Sequence, residues 1–437
     1  MKNQPAILIF DIGKTNKKSI VFDEAYNVLL EEVTSFQELE DEDGFPCDDL
    51  NAISAWMIST TKKLIHDDRF DIKSMNFSGY GASFVHIGED LKPVTPLYNY
   101  LKPFPEDLKT RFVEQYGPLE KLLVETASPF MGNLNSALQL YRIKHQQPAV
   151  YEKIKYTMHL PQYLSFVFTG KAFSDITSIG CHTLLWDFNN NRYHDWVIEE
   201  GIDSKLAPIQ DTSSTTEVEC FKKKIHIGIG VHDSSAALIP YTRSQEKPFA
   251  LISTGTWCIT LNPYNQTLLN KAELDCNCLC YMQHTGKQVK AAQLFAGNTH
   301  ELGVQKILAH FRPDQKFYKI IRFNKSIIDC SDARKTILLE EKNENNFRES
   351  IFLDSAIDMF SDEIEAYHFL VAEIVQQQKF SSSLVIDNTT IDKICVDGGF
   401  GKNDVYMKLL AEAFPEHEVV SASVAQASSI GAVMVIS

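Results

Sequence analysis

The chain has 437 residues, of which 44% are apolar and 23% charged, as is usual for a soluble globular protein. This length exceeds what one hydrophobic core normally serves, so two domains are expected. The formal net charge is −15 and no long basic block occurs, which argues against nucleic acid or an anionic membrane as a partner. The start of the chain has one lysine and a short apolar stretch, and no apolar run reaches the roughly 18 residues of a membrane span. We therefore expect a cytoplasmic protein without a signal peptide.

The first predicted elements are three short strands joined by turns, at residues 6–12, 17–23 and 28–34. The first turn, GKTN (13–16), follows Asp11. Glycine has no Cβ, so phosphate oxygens can reach the backbone N–H groups, and the polar side chains of the turn supply further donors. A carboxylate repels phosphates unless a divalent cation lies between them, so Asp11 suits binding Mg²⁺ through water. The alternative is an ordinary β-hairpin in which the acid and the glycine only satisfy turn geometry.

Strand-like and helical stretches alternate through the middle of the chain, which predicts an α/β architecture. The strand-like segment MNFSGYGASFVHI is followed by helical stretches at 108–116, SALQLYRIKH and LPQYLSFVF. The run IHIGIGV (225–231) predicts a buried strand, and Asp233 follows it just before a helical stretch of small residues. Functional groups of α/β sheets stand at such strand ends. The alternatives are a helix N-cap for Asp233 and a structural role for His232.

A second glycine hairpin follows about half a chain later, where ALIS and WCITL flank the turn TGT (254–256). Two halves that each open with such a hairpin predict duplicated domains, at 1–228 and 229–437, that clamp one polyphosphate across a cleft. Further along, Cys276, Cys278 and Cys280 alternate in the sequence. This spacing predicts one face of a buried strand, whereas zinc sites favour paired ligands two to four residues apart.

The last third of the chain has few motifs. Residues 335–362, rich in lysine, glutamate and asparagine, predict no clear element. A helix is expected over 362–378, followed by the polar connector SSSLVIDNTT. The strand KICVDGG then leads into a helix over 404–414. Gly398 and Gly399 end that strand, where the alternative to a ligand contact is a tight strand-to-helix turn.

The order and spacing of these elements resemble the FGGY carbohydrate kinases, within the superfamily shared by hexokinase, actin and the 70-kDa heat-shock proteins. FDIGKTNKK resembles the first phosphate motif of that family, STGTW the second, VDGGFGKN the adenosine motif and GVHD the segment of the catalytic base. The resemblance covers nearly the whole chain but is poor over 300–390. It implies two ribonuclease H-like α/β domains flanking a cleft, ATP and Mg²⁺ as cofactors, and in-line phosphoryl transfer to a sugar hydroxyl.

The resemblance also implies a role for individual residues. It makes Asp233 the catalytic base, with Asp11 and Asp233 holding Mg²⁺ through water. The implied ATP- and phosphate-binding residues are Gly13, Lys14, Thr15, Asn16, Lys18, Thr254, Gly255, Thr256, Gly398, Gly399 and Asn403. The implied sugar-binding residues are Tyr80, Gly81, Tyr98, Asn99, His232 and Asp233. Lys14 stands where the family usually has threonine, so it either adds a phosphate contact or points into solvent.

The segment FSGYGASFVHI and the pair His232-Asp233 resemble the rhamnulokinase pattern, whereas YNY (98–100) replaces a Trp-Asn-Asp type segment of xylulokinases. The favoured substrate is therefore a ketose such as L-rhamnulose or L-fuculose, and the alternative is a xylulokinase- or ribulokinase-type pentulose kinase. As partners we expect a small-molecule sugar but neither nucleic acid nor membrane, and the protein is expected to be a monomer or homodimer.

Two alternatives belong to other functional classes. A non-catalytic, nucleotide-switched protein of the same superfamily would lose the base, and the presence of Asp233 argues against it. A sugar-sensing regulator would carry a DNA-binding helix-turn-helix, and we expect none at the start of the chain because the first core strand begins there.

Overall fold

The computed structural model describes residues 4–329, 333–422 and 424–437. Strands and helices alternate along these residues, which confirms the predicted α/β class. Among the described residues, no helix combines the length and the apolar character that crossing a bilayer requires.

The strands of the described residues are, in chain order, β1 (Gln4–Ile12), β2 (Lys17–Phe22), β3 (Val28–Thr34), β4 (Leu39–Glu40), β5 (Pro46–Cys47), β6 (Phe70–Gly79), β7 (Phe84–Ile87), β8 (Tyr156–His159), β9 (Ser174–Asp175), β10 (Trp186–Asp187), β11 (Arg192–Tyr193), β12 (Ile209–Gln210), β13 (Thr215–Cys220), β14 (Lys223–Gly228), β15 (Val231–His232), β16 (Phe249–Thr254), β17 (Cys258–Asn262), β18 (Cys278–Met282), β19 (Gln288–Leu294), β20 (Lys393–Gly398) and β21 (Glu418–Ser421).

The α-helices of the same residues are α1 (Leu50–Ile65), α2 (Glu106–Tyr116), α3 (Leu119–Glu125), α4 (Ser136–Gln146), α5 (Pro148–Tyr151), α6 (Leu160–Thr169), α7 (Ile176–Ile179), α8 (Asp195–Glu199), α9 (Asp233–Ser244), α10 (Lys271–Asp275), α11 (Ala296–Phe311), α12 (Lys325–Asp329), α13 (Ala333–Thr336), α14 (Ile351–Asp354), α15 (Glu363–Ile386), α16 (Asp404–Ala413) and α17 (Ala427–Val435).

The first half of the chain folds around a seven-stranded mixed sheet of order β13-β14-β6-β1-β2-β3, with β15 paired to β6. Strand β1 pairs antiparallel with β2, and β2 with β3, which confirms the predicted meander. Strand β6 is parallel to β1, β14 and β15. The carboxyl ends of β1, β6 and β15 therefore meet at one edge of the sheet, where the acid cavity described below lies.

Helices cover both faces of this first sheet. Successive residues of β1 point to opposite faces, so Leu8 and Phe10 pack in one core with α1 and α6. Ile7 and Ile9 pack in another core with α9 and α17. The helix α17 lies near the end of the chain, so the chain returns to the first sheet after completing the second one.

The second half folds around a six-stranded sheet of order β18-β19-β17-β16-β20-β21. It repeats one feature of the first sheet: β16 is antiparallel to β17, which follows it through a glycine turn, and parallel to β20 on its other side. The register places Gly398 directly beside Thr254. Both predicted glycine turns thus stand in the same topological position of their sheets.

Three sequence predictions differ in detail from the structure. Helix α15 runs through most of the predicted polar connector to Ile386, because Ser381 and Ser382 are buried and the Ser382 hydroxyl bonds Thr260 at 2.7 Å. The predicted strand 225–231 breaks into β14 and β15 at Gly230, whose φ is +89°.

The third difference concerns the alternating cysteines. Cys278 and Cys280 lie on β18, but Cys276 precedes that strand as the C-cap of α10. All three thiols are nevertheless buried in one hydrophobic core.

Candidate active site

The first glycine turn lines a cavity of about 310 Å³, here called the acid cavity. Its lining residues are Asp11, Gly13, Thr15, Asn16, Lys18, Asp233 and Ser428. Both Asp11 of β1 and Val231 of β15 pair with Ser78 of β6. This register brings Asp11 and the start of α9, where Asp233 stands, to one edge of the sheet. All of the lining residues except Ser428 were expected from sequence.

The Asp11 carboxylate is held by hydroxyl groups from the last helix. Its Oδ2 accepts hydrogen bonds from Ser428 Oγ at 2.8 Å and from Ser429 Oγ at 2.9 Å. Burial raises the pKa of Asp11, and the nearby Asp233 charge raises it further, whereas the two hydroxyl donors lower it. The hydroxyls therefore offset part of the cost of keeping a buried carboxylate ionised.

Asp233 is the first residue of α9, and His232 is the N-cap residue, so the carboxylate of Asp233 does not cap the helix. About a third of its side-chain surface, 32%, is exposed in the cavity. Its Oδ1 accepts a hydrogen bond from Ser234 N at 2.6 Å. Burial raises the pKa of Asp233 to about 6. The group is thus ionised at neutral pH, but it is a stronger base than an ordinary aspartate.

His232 lies behind this carboxylate, with Nε2 3.2 Å from Asp233 Oδ1 and 3.3 Å from Cys181 Sγ. Burial lowers the pKa of His232 to about 4, so the ring is neutral at pH 7. Gly81 leaves room for this ring, because a Cβ at position 81 would lie 2.9 Å from His232 Cδ2 and Nε2. The predicted pairs Tyr80-Gly81 and His232-Asp233 are therefore neighbours in space.

A buried acid that was not predicted, Asp48, ties the first turn to Tyr80. Its Oδ2 accepts from Tyr80 Oη at 2.8 Å and from Lys14 Nζ at 2.8 Å, and its Oδ1 accepts from Lys17 Nζ at 2.8 Å. Burial raises the pKa of Asp48, but these donors outweigh burial and hold it below its ordinary value. Lys14 also binds Glu38 at 2.7 Å, so its ammonium group contacts two carboxylates. Asp48 belongs to no motif, so no local signal in the sequence pointed to it.

Tyr98 and Asn99 lie outside the lining of the acid cavity. The Tyr98 ring packs against the Arg142 guanidinium at 4.4 Å, and its hydroxyl donates to Glu42 at 2.6 Å. Asn99 Nδ2 donates to Pro46 O at 3.1 Å. Their side chains thus contact the region of β4 and β5, and their sugar-binding role stays a prediction.

The second glycine turn lines a separate cavity of about 560 Å³, here called the second cavity. Five predicted residues line it: Thr254, Gly255, Thr256, Gly399 and Asn403. Gly398 does not line it but has a packing role, because its φ is +89° and a Cβ there would lie 2.1 Å from Thr254 O. Gly297, which was not predicted, is equally constrained, since its Cβ would lie 1.9 Å from Gly255 O.

Aromatic and charged residues complete the second cavity, and most of them come from the poorly matched part of the sequence. The His300 ring lies edge-on to Tyr318 at 5.4 Å and to Phe400 at 5.2 Å. Burial lowers the pKa of His300 to about 4, so it presents a neutral ring. The lining carries positive charge from Arg322 and Lys402 and negative charge from Glu301 and Asp404. His300, Tyr318 and Arg322 follow no recognisable spacing, which is why sequence analysis missed them, whereas Phe400 and Lys402 stand in the VDGGFGKN motif.

Comparison with known proteins identifies the family. A family model described as the N-terminal domain of the FGGY family of carbohydrate kinases matches residues 6–239, more than half of the chain. The chain belongs to the FGGY family of carbohydrate kinases. The expected resemblance is therefore confirmed, and the two-domain ribonuclease H-like α/β class with it.

Individual relatives of this FGGY kinase are distant. A rhamnulokinase of Oceanobacillus iheyensis is 23% identical over 99% of this chain and 93% of its own length. A rhamnulokinase of Halalkalibacterium halodurans is 25% identical over 58% of this chain, and that match spans only 55% of the relative. Among solved structures, a Plasmodium falciparum glycerol kinase with ADP is similar with a TM-score of 0.79 at 16% identity, over 100% of this chain and 89% of that one. Similarity at this level of identity shows the fold alone.

The donor chemistry of the FGGY kinase's acid cavity fits a magnesium ion. Proteins usually hold Mg²⁺ through one or two carboxylates, with water and substrate phosphates supplying the other oxygens. Two hydroxyls donate to Asp11 Oδ2, and the carboxylate lines the cavity together with Asp233, so it is a candidate metal ligand. Over residues 4–329, 333–422 and 424–437, no three His, Cys, Asp or Glu side chains form a group that could hold a metal by themselves. A metal bound here would therefore need phosphate and water oxygens.

Proposed function

We propose that this FGGY kinase transfers the γ-phosphoryl group of ATP to a hydroxyl of a ketose, with L-rhamnulose or L-fuculose favoured. The observation that carries the proposal is the acid cavity, in which Asp11 and Asp233 share one edge of the sheet with the donors of the first glycine turn. We further propose that Mg-ATP binds between domains 1–228 and 229–437 of a cytoplasmic monomer or homodimer.

Asp233 is the general base in this proposal. A base works best when its pKa is near the working pH while it remains ionised, and burial raises the pKa of Asp233 to about 6. The neutral His232 ring and Ser234 N both lie within hydrogen-bonding distance of Oδ1 and so fix the orientation of the carboxylate. Oδ2 is then available to accept the proton of the attacking sugar hydroxyl.

Asp11, together with Asp233, would hold the magnesium ion through water. The ion would neutralise negative charge on the transferring phosphate oxygens. Thr15, Asn16 and Lys18 line the same cavity and are the candidate phosphate contacts. Lys18 Nζ bonds Gln426 Oε1 at 2.8 Å, which holds its ammonium group at the cavity.

The second cavity is the proposed nucleotide site. Its volume of about 560 Å³ lies in the usual range of small-ligand pockets. Gly255 has no close neighbour around its missing Cβ except Trp257 O at 3.7 Å, so open space adjoins the turn. The glycerol kinase of similar fold was solved with ADP, which supports the assignment of a nucleotide. The rings of His300, Tyr318 and Phe400 supply apolar surface for a base.

The sugar assignment has the least support. The two relatives are named rhamnulokinases, and Tyr80 lies next to Gly81, which contacts His232. An aromatic ring in the sugar pocket could cover the methyl group of a deoxy sugar, worth about 1 kcal/mol. This amounts to only several-fold discrimination, so polar contacts must set most of the specificity. A pentulose such as D-xylulose or D-ribulose is the second candidate.

A coupled assay of ADP release tests the proposal with L-rhamnulose, L-fuculose, D-xylulose, D-ribulose and glycerol in parallel. The specificity constant is expected to be highest for one of the two deoxyketoses. A clear preference for a pentulose would replace the deoxyketose with the second candidate. If no sugar raised ADP release above that of the Asp233→Asn variant, the protein would be a non-catalytic member of the family.

A further inference from the structure

The first turn of α17 contacts both charged residues that the first hairpin presents to the acid cavity. Ser428 and Ser429 donate to Asp11 Oδ2, as described above. Just before the helix, Gln426 accepts a hydrogen bond from Lys18 Nζ at 2.8 Å and donates one to Glu31 at 2.7 Å. Residues at the start of α17, more than 400 positions away in the sequence, thus contact Asp11 and Lys18 on either side of the first turn.

The same helix is in backbone contact with the helix that begins at Asp233. A Cβ at Gly431 of α17 would lie 1.9 Å from Ala236 O of α9, so glycine allows the two helices to touch. Asn76 of β6 makes a second link, because its Nδ2 donates to Ala432 O at 2.8 Å and its Oδ1 accepts from Gly230 N at 3.1 Å. Helix α17 therefore contacts Asp11 directly and is tied to the segment that leads into Asp233.

We propose that α17 is a positioning element for the metal site, in which Ser428 and Ser429 fix the Asp11 carboxylate beside Asp233. This inference rests on the proposed function. Ser428 and Ser429 act through Asp11 and are positioning residues. Because both hydroxyls donate to the same carboxylate oxygen, they restrict the rotation of the group that would hold the metal.

The test measures Mn²⁺ binding to the full chain with ADP present, by electron paramagnetic resonance, in the double variant Ser428→Ala/Ser429→Ala. We expect the dissociation constant for Mn²⁺ to increase about tenfold or more, the usual scale for losing groups that orient a metal ligand. ADP binding without metal is expected to stay as in the wild type.

Ser437→Ala is the matched control, because Ser437 Oγ bonds Val433 O near the far end of the same helix. Ser428→Thr retains a hydroxyl and is expected to restore Mn²⁺ affinity relative to Ser428→Ala. If the double variant does not fold, the two single alanine variants take its place.

Unchanged Mn²⁺ affinity in the alanine variants, or a loss of affinity that Ser428→Thr does not reduce, would overturn the inference. So would a wild-type protein that binds no Mn²⁺. If the wild type binds Mn²⁺ as expected and the variants lose affinity, but no sugar is phosphorylated, the proposed function fails while this inference stands.

Discussion

The two glycine turns have the same backbone setting but opposite surroundings. Each joins an antiparallel strand pair whose first strand is parallel to a third strand. In both, the glycine N–H is used within the turn, from Gly13 N to Asn16 O and from Gly255 N to Trp257 O, at 3.0 Å each. A phosphate would therefore have to be met by the later N–H groups and side chains of each turn.

The surroundings of the turns differ in charge. The first turn and the start of β2 carry Lys14, Lys17 and Lys18, and ion pairs to Asp48, Glu38 and Glu31 hold these lysines in place. The second turn carries no charge and is held by close glycine packing at Gly297 and Gly398. Under the proposed function, the first turn would supply charged groups for chemistry and the second an uncharged, closely packed turn for binding. The five predictions below test that division.

The largest effect is expected for Asp233→Asn. Turnover should fall by about 100-fold or more, the scale for losing a general base, while ATP binding is retained. Rapid-quench kinetics and nucleotide titration measure the two quantities. The matched control is Asp195→Asn, because Asp195 also follows a histidine at the start of a helix but is exposed and paired with Arg192. Near-normal turnover in Asp233→Asn would show that its carboxylate has only a structural role.

The same carboxylate sets a pH dependence. Because burial raises the pKa of Asp233 to about 6, its active, ionised form is lost as the pH falls through that value. We expect kcat/KM to fall by about tenfold per pH unit below pH 6. If the acidic side of the pH profile of kcat/KM gave an apparent pKa near 4, an ordinary carboxyl group would control the rate.

The effect of the Asp233 carboxyl group on folding stability has the opposite pH dependence. A carboxyl whose pKa is higher in the folded than in the unfolded state favours folding at low pH, and this contribution is lost as the pH rises through about 6. Asp233→Asn should therefore unfold at a temperature no lower than the wild type at pH 8, as measured by calorimetry. A lower unfolding temperature at that pH would contradict burial as the cause of the shift.

Gly255→Val tests whether the second glycine turn binds the nucleotide. A Cβ at this position meets only Trp257 O at 3.7 Å, so the fold should tolerate it, but the larger side chain fills the space beside the turn. We expect the KM for ATP to rise by about tenfold or more, with a smaller change in kcat for saturating ATP. Gly255→Ala is the graded control, and its KM for ATP should lie between those of the wild type and Gly255→Val. An unchanged KM for ATP would show that the second turn does not contact the nucleotide.

The smallest effect concerns the sugar. Tyr80→Ala should narrow the preference for a deoxyketose over D-xylulose by several-fold, because it removes the ring proposed to cover a methyl group. Tyr80→Phe retains the ring and breaks only the hydrogen bond to Asp48, so it should keep the preference. Steady-state kinetics with both sugars measures this preference in each variant. Equal preferences in all three proteins would show that Tyr80 has no part in sugar choice.

Much of the fold could be predicted because its signals are local. The meander, the helices α2, α6 and α16, and both glycine turns follow from apolar periodicity and turn residues within short windows. The polar connector after residue 378 was predicted wrongly because its serines are hydrophilic in isolation. In the structure Ser381 and Ser382 are buried, and the Ser382 hydroxyl bonds Thr260 and Gln378 inside the protein.

The site was predictable where a motif carries it and not elsewhere. Asp11, Asp233 and the two turns stand in motifs, and the structure brings each to a cavity. Asp48, His300 and Ser428 stand in none. His300 and Ser428 reach the cavities, and Asp48 reaches the lysines beside the first turn, through strand order and helix packing, which local composition does not encode.

Two histidine–aspartate pairs show what the sequence determined and what only the tertiary structure decided. His194-Asp195 and His232-Asp233 each place a histidine at a helix N-cap, and for the second pair the sequence predicted a helical stretch after Asp233. In the first pair the aspartate is 63% exposed, whereas in the second it faces Asp11 in the acid cavity. The second pair lies in the cavity because β15 pairs parallel with β6, in a register that places His232-Asp233 beside the carboxyl end of β1. A base needs a partially desolvated site and a neighbouring metal ligand, and only pairing between distant strands creates both.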